Sequence, residues 1–503
     1  MKSMVKQLLF IVILLPCVAF GQQTERYVSD YTTFYRAEEL YEKAQFSAAR
    51  EEFRAFVNQF KNENDPLYIK ALYYEGMSAL ELFNNDAIPL LQAFNKKYPE
   101  NIYKYIIGFE IGNYFFQKED FINAQVWYQK VPVNEVDKAQ QEEFLFKLGY
   151  SAMQNADNES AFSAFRDAKD GKSQYAAPSL YFYSHLSYLK NSLSVALEGF
   201  LKLKSDSTFS AVVPYYIVQI YHKQAKFQEV VDFAPSVLNA TELNNEADIN
   251  HIIGNSHYKL GNFKEAIPYL EKYQAKSKVT RDDAYELGYC YHKANQSEKA
   301  IKQWDKVTRV EDSLGQIAMY QIGEAYLVID KLLPARSAFE RASEMKTIPL
   351  IQEDALYNFA VISFKVDINP YDESVRAFEN YLNRYPNSSR KKDVYQYLVN
   401  VYTNTSNFAK ALESLDNLPV KDAQLKKVYQ SVAFNYGVEM FQKNNLPSAL
   451  DAFKLVDKYP IDPQMVALSR YWIADIHFRN NEVEKSLSIY REFLGSPASN
   501  SLK

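Results

Sequence analysis

The sequence predicts an all-α chain built as a solenoid of stacked antiparallel helix pairs. Three observations carry that expectation. Gly (14) and Pro (18) are scarce in 503 residues, whereas a β-sandwich or an α/β enzyme of this length needs many more turn residues. The chain also repeats itself: residues 248–273 and 282–307 align with Gly254 on Gly288 and Ala266 on Ala300, an offset of 34 residues. Such self-similarity decides the fold before any local feature does. Finally, the apolar positions within each copy recur with the 3.6-residue period of a helix.

Taken in order, the chain opens on a leader. Lys2 and Lys6 give it a positive start, residues 8–15 are uninterruptedly apolar, Pro16 breaks the run, and Ala19-Phe20-Gly21 places small residues at the two positions a signal peptidase reads. Residues 1–21 therefore read as a secretory signal cleaved before Gln22. The apolar stretch is too short to span a bilayer comfortably, and no other segment is long enough. Cys17 is a poor site for a lipid anchor, because Pro16 stands where a small residue is needed. Cleavage leaves Cys290 as the one remaining thiol, so no intramolecular disulfide can form. The formal charge of −5 becomes more negative without the two leader lysines, which does not suit a nucleic-acid binder. The expectation is an exported bacterial protein of the periplasm or the outer-membrane periphery.

Beyond the leader, one template slides along nearly the whole chain. A first helix carries a small or compact anchor near its middle, at Ala37, Gly76, Gly112, Gly149, Ser184, Val218, Gly254, Gly288, Gly323, Ala360, Val399, Gly437 and Ala474. After a polar turn, a second helix carries a small residue near its start, at Ala49, Ala124, Ala161, Ala196, Ala266, Ala300, Ala335, Ala411, Ala449 and Ser486. Four positions further on stands Phe, Tyr, Trp or Leu, as at Phe53, Tyr128, Phe165, Trp304 and Phe339. The physical reason is close approach: two helices pack tightly where one presents a small residue to the bulk of the other.

This pattern resembles the tetratricopeptide repeat family. Leu287-Gly288-Tyr289-Cys290-Tyr291 and Ile322-Gly323-Glu324-Ala325-Tyr326 match its first helix, Gly261-Asn262-Phe263 its turn, and Pro386 and Pro460 its closing proline. The resemblance implies a right-handed superhelical α-solenoid of about 13 helix pairs across residues 22–495, with a tail at 496–503. Departures are visible too. Val230 stands where a small residue belongs, which is expected to splay that pair. Residues 367–372 look like a two-residue insertion. Polar stretches place an expected seam near 205–246.

No catalytic, cofactor or metal chemistry emerges. Gly171-Lys172-Ser173 imitates the end of a phosphate loop, but Arg166 stands where the first glycine is required, and a helix precedes it. Gly254-Asn255-Ser256-His257-Tyr258 lacks the second glycine of a nucleophile elbow. The six histidines have no metal-ligand spacing and no cysteine pair to join. The chain is therefore expected not to be an enzyme.

The resemblance also implies where a ligand would lie: on the concave face of the first helices, three residues before the anchor and one, four and five after it. The position three before holds Phe109, Phe146, Tyr181, Tyr215, His251, Tyr285, Tyr320, Tyr357, Gln396, Phe434 and Tyr471, and every one but His251 and Gln396 is Phe or Tyr. Asn113, Asn255 and Lys293 are polar neighbours. Rigid aromatics make good peptide anchors, yet apolar stripes at helical spacing serve packing more often than binding. The family's clamp on a C-terminal carboxylate needs Lys three before the anchor, and none of these positions has it. The expected function is a non-catalytic scaffold binding envelope proteins or peptides. The alternative is a glycan- or peptidoglycan-associated protein stacking sugars on the aromatic groove, which the scarcity of Trp (3) disfavours.

Overall fold

A computed structural model describes residues 31–240, 245–366, 373–418 and 420–501. The leader, the insertion at 367–372 and part of the expected seam lie outside the described residues. Among the described residues there are 26 α-helices and no strand. The chain divides into two compact units at Gln224–Ala225. The first holds α1 (Thr32–Glu42), α2 (Phe46–Gln59), α3 (Pro66–Glu81), α4 (Ala87–Lys97), α5 (Lys104–Gln117), α6 (Phe121–Tyr128), α7 (Gln141–Gln154), α8 (Asn158–Ala168), α9 (Ala176–Leu189), α10 (Leu193–Leu203) and α11 (Val213–Lys223). The second holds α12 (Phe227–Ala240), α13 (Glu246–Lys259), α14 (Phe263–Lys276), α15 (Arg281–Lys293), α16 (Ser297–Trp304), α17 (Ser313–Val328), α18 (Leu332–Glu344), α19 (Pro349–Val366), α20 (Glu373–Arg384), α21 (Lys391–Thr403), α22 (Phe408–Asn417), α23 (Ala423–Gln442), α24 (Leu446–Leu455), α25 (Pro463–Arg479) and α26 (Val483–Gly495).

Every anchor falls on an odd-numbered helix, and the small residues of the second helices are buried on even-numbered ones. A Cβ built on Gly112 would meet the Tyr128 ring at 2.5 Å, one on Gly149 the Phe165 ring at 2.9 Å, and one on Gly323 the Phe339 ring at 2.8 Å. The small residue is thus a requirement of the fold, since an added methyl has nowhere to go in a close-packed interior. The Gly76 pair uses Ala87 and Leu91, one position earlier than the template. The pair anchored at Ala360 buries Ser374 and Phe378 two positions late. Val230 is itself buried, on α12, while Val218 lies on α11 in the other unit. Within each unit the second helices also pack on the first helix of the following pair, as α2 does on α3 and α18 on α19, so the core runs along the stack.

Among the described residues, the turn after eleven of the anchors is built to one plan. Seven residues after the anchor the backbone enters the left-handed region, at Ala44, Phe83, Glu119, Ala156, Asn191, Ala225, Asn295, Asp330, Asn444 and Asn481, and at Gly261. That residue donates its N–H back to the first helix, as Glu119 does to the Phe116 carbonyl at 3.0 Å, closing the helix end. In some pairs the next residue also caps the second helix: Asp120 accepts from the Asn123 N–H and Asp157 from the Ser160 N–H, both at 3.1 Å.

Candidate functional site

Among the aromatic residues three before the anchor, Phe109, Phe146, Tyr181, Tyr285 and Tyr320 share one geometry. Each lies against the bulky ring of its own second helix: Phe109 on Tyr128 at 6.1 Å between centroids, Phe146 on Phe165 at 6.1 Å, Tyr181 on Phe200 at 6.2 Å, Tyr285 on Trp304 at 6.3 Å and Tyr320 on Phe339 at 5.3 Å. Tyr357 meets Tyr381 at 5.8 Å. Phe109 is buried, whereas Phe146, Tyr181, Tyr215, Tyr285, Tyr320 and Tyr357 are half-buried. These rings therefore belong to the core on one side and to the surface on the other. Tilted and edge-on ring pairs at such distances stabilise by about 0.5–1.5 kcal/mol beyond area burial, so packing is a real part of what they do.

The polar candidates are engaged as well. Asn113 accepts from the Lys147 ammonium and the Tyr128 hydroxyl, both at 2.9 Å, and donates to Glu110 at 3.1 Å. Asn255 donates to Glu286 at 2.8 Å. Residue +1 of one first helix thus reaches residue −2 of the next, a polar seam that ties successive first helices together. Burial pushes the Glu110 and Glu286 carboxyls above their ordinary values, and the asparagine bonds oppose that shift. His251 stacks on Tyr273 at 4.3 Å and pairs with Asp283 at 2.9 Å. Lys293 is exposed, 5.2 Å from the Tyr289 ring centroid.

Sequence reasoning missed two features of this face. Gln316, wholly buried seven residues before its anchor, donates to the Ala342 and Met345 carbonyls at 3.0 and 2.7 Å. It accepts from the Thr347 hydroxyl and the Ile348 N–H at 2.6 and 2.7 Å. Gln430 holds the same position before Gly437 and exchanges bonds with both backbone groups of Asp462. The signal was there: Gln recurs seven residues before the anchor, at 316 and at 430. The second missed feature is a cavity between Tyr320, Glu353, Asp354 and Arg390, whose residues come from the middle of α17 and the starts of α19 and α21, with no linear motif.

The phosphate-loop imitation is occupied from within. The Lys172 and Ser173 N–H groups donate to the Glu142 carboxylate at 3.0 and 2.8 Å, which, with the Ser173 side chain contributing most, lowers its pKa. Among the described residues no group of His, Cys, Asp and Glu is arranged to hold a metal, and no helix is long and apolar enough to cross a membrane.

A family model for the tetratricopeptide repeat matches residues 253–313, the stretch that carries Gly254, Gly288 and Trp304. Residues 253–313 are thus a tetratricopeptide-repeat segment. No curated protein matches it. Among solved structures it resembles YrrB, described as a TPR protein with an unusual peptide-binding site, at 21% identity over 39% of this chain and 97% of that one, with a TM-score of 0.33. A tetratricopeptide repeat protein from Parabacteroides merdae is 15% identical over 51% of this chain and 98% of that one, TM-score 0.30. Naa15/Naa10 bound to HypK-THB is 11% identical over 94% and 76%, TM-score 0.39. At these scores none of the three bears on what this chain binds.

Proposed function

We propose that the chain is an exported, non-catalytic scaffold of the bacterial periplasm or cell envelope that binds partner proteins or peptides along the groove formed by its first helices. The observation that carries this reading is the half-exposed ring three before the anchor at Phe146, Tyr181, Tyr285, Tyr320 and Tyr357. Its inner face is fixed by a second-helix ring, so its outer face is presented at low entropic cost. The leader supports export, and the repeats supply an interaction surface. A sugar-stacking role finds less support, because Trp304 is fully buried behind Tyr285.

Photo-crosslinking tests the reading without stripping core rings. A benzophenone amino acid is placed at Lys293 or Gln396 on first helices, and at Lys302 or Lys410 on second helices, all exposed positions. Discrete adducts with one envelope protein from the first pair of sites alone support the groove. Adducts from the second pair alone move the interface to the other face, and no adducts from any site reject the scaffold reading.

A further inference from the structure

A cavity of about 540 Å³ lies in the second compact unit, where the starts of α19 and α21 meet the middle of α17. Its wall is chemically uneven. Leu350 and Ile351 supply an apolar side, and Leu350 is 78% exposed. Asp354 is already neutralised, since it pairs with Arg390 and accepts the Tyr320 hydroxyl. Arg390 is held in turn over the Tyr357 ring at 4.6 Å. Glu353 differs: it accepts from the Tyr381 hydroxyl at 2.9 Å, and among the described residues no cation is paired with it. The lining thus carries one carboxylate more than it has cations, next to an aliphatic surface and the Tyr320 ring.

We infer that this cavity takes a cationic side chain, arginine or lysine, of a partner peptide, with its alkyl stem along Leu350 and Ile351 and its head group at Glu353 beside Tyr320. The inference rests on the reading of the chain as a protein-binding scaffold and names the chemistry its partner presents here. Long cationic side chains bury an apolar stem while keeping the charged head among acceptors. A guanidinium gains a charge-assisted bond from a carboxylate and attraction from a tyrosine face. A ligand carboxylate would have to displace Asp354 from Arg390 and sit beside Glu353, which like-charge repulsion opposes.

The test uses the full chain and labelled nonapeptide pools, randomised at the flanks, with arginine, citrulline or glutamate fixed at the centre, read by fluorescence anisotropy. Citrulline keeps the shape of arginine and removes its charge. The arginine pool is expected to bind at least about tenfold tighter than either other pool, the size of one charge-assisted contact. Glu353→Gln is expected to abolish that preference, and Leu350→Ser to weaken the arginine pool alone, with helix content unchanged by circular dichroism. Equal binding of the citrulline or glutamate pool overturns the inference and leaves the scaffold reading standing. Binding by no pool also overturns it for this cavity, while the crosslinking experiment judges the scaffold reading separately.

Discussion

The Trp304 indole lies directly over Gly288: a Cβ at position 288 would stand 2.5 Å from Nε1, and that same N–H donates to the Tyr285 carbonyl at 3.1 Å. The small anchor, the bulky partner and the ring three before the anchor are therefore one packed triplet. Gly288→Ala is expected to destabilise the α15–α16 region by roughly 1–3 kcal/mol, the cost of overpacking a filled core. Because a repeat array need not unfold in one step, the readout is amide hydrogen exchange across α15 and α16. The double variant Gly288→Ala/Trp304→Leu is expected to cost less than the sum of its parts, since the methyl enters space the indole vacated. Strict additivity would contradict the contact.

The turns inside the helix pairs make a second prediction. Ala156 has φ 60° and Gly261 φ 80° at the same place in the plan. A left-handed residue with a Cβ carries strain of about 1–2 kcal/mol, offset in part by the greater unfolded-state freedom of glycine. Ala156→Gly is expected to be neutral or stabilising, and Gly261→Ala destabilising, by thermal unfolding under one condition. The opposite order would show that the left-handed turn is not common to the pairs.

Gln316 makes four hydrogen bonds from a fully buried position. Gln316→Leu keeps the volume but strands the Ala342 and Met345 carbonyls and the Ile348 N–H. The expected cost is about 2–4 kcal/mol, above that of an ordinary surface change, because buried groups lose their partners outright. Protection of the α18–α19 turn in hydrogen exchange checks it, and unchanged protection there would refute the stapling role.

Asp312 caps α17 through the Gly315 N–H at 2.8 Å and takes both guanidinium nitrogens of Arg281, at 2.6 and 2.8 Å. The Arg281 bonds, followed by the Gly315 N–H, hold its carboxyl well below the usual carboxylate range. A depressed folded pKa stabilises the protein above the unfolded value, about 3.9 for Asp, and that contribution is lost as pH falls through the folded value. The melting-temperature gap between the wild type and Asp312→Asn is therefore expected to be constant from neutral pH down to about pH 5 and to close below about pH 4. Added salt should narrow it, because the pair is exposed. A gap that widens in acid would contradict the assignment.

Much of this was legible in the sequence because it rests on spacing. Gly112 and Tyr128, or Gly323 and Phe339, reveal themselves by recurring at fixed separation, and each pair meets in the structure as that spacing requires. The ring three before the anchor was also readable, but the sequence could not divide it between core and surface. That depends on how far Trp304 or Phe339 reaches beneath it. The Asn113–Lys147 and Asn255–Glu286 bonds join residues 34 and 31 positions apart, with polar types that vary from pair to pair, so no periodic signal marks them. The Glu353–Arg390 cavity was hidden for a stronger reason: it depends on where loops end, and loop ends are the least regular part of the repeat.

The proposed function depends most on the half-exposed rings of the first helices forming a binding surface. Its most direct measurement is crosslinking to an envelope extract from benzophenone at Lys293 and Gln396 against Lys302 and Lys410. One discrete partner is expected to be captured from the first-helix positions and none from the second-helix positions. The same partner captured equally from both sets, or from the second-helix positions alone, would contradict it.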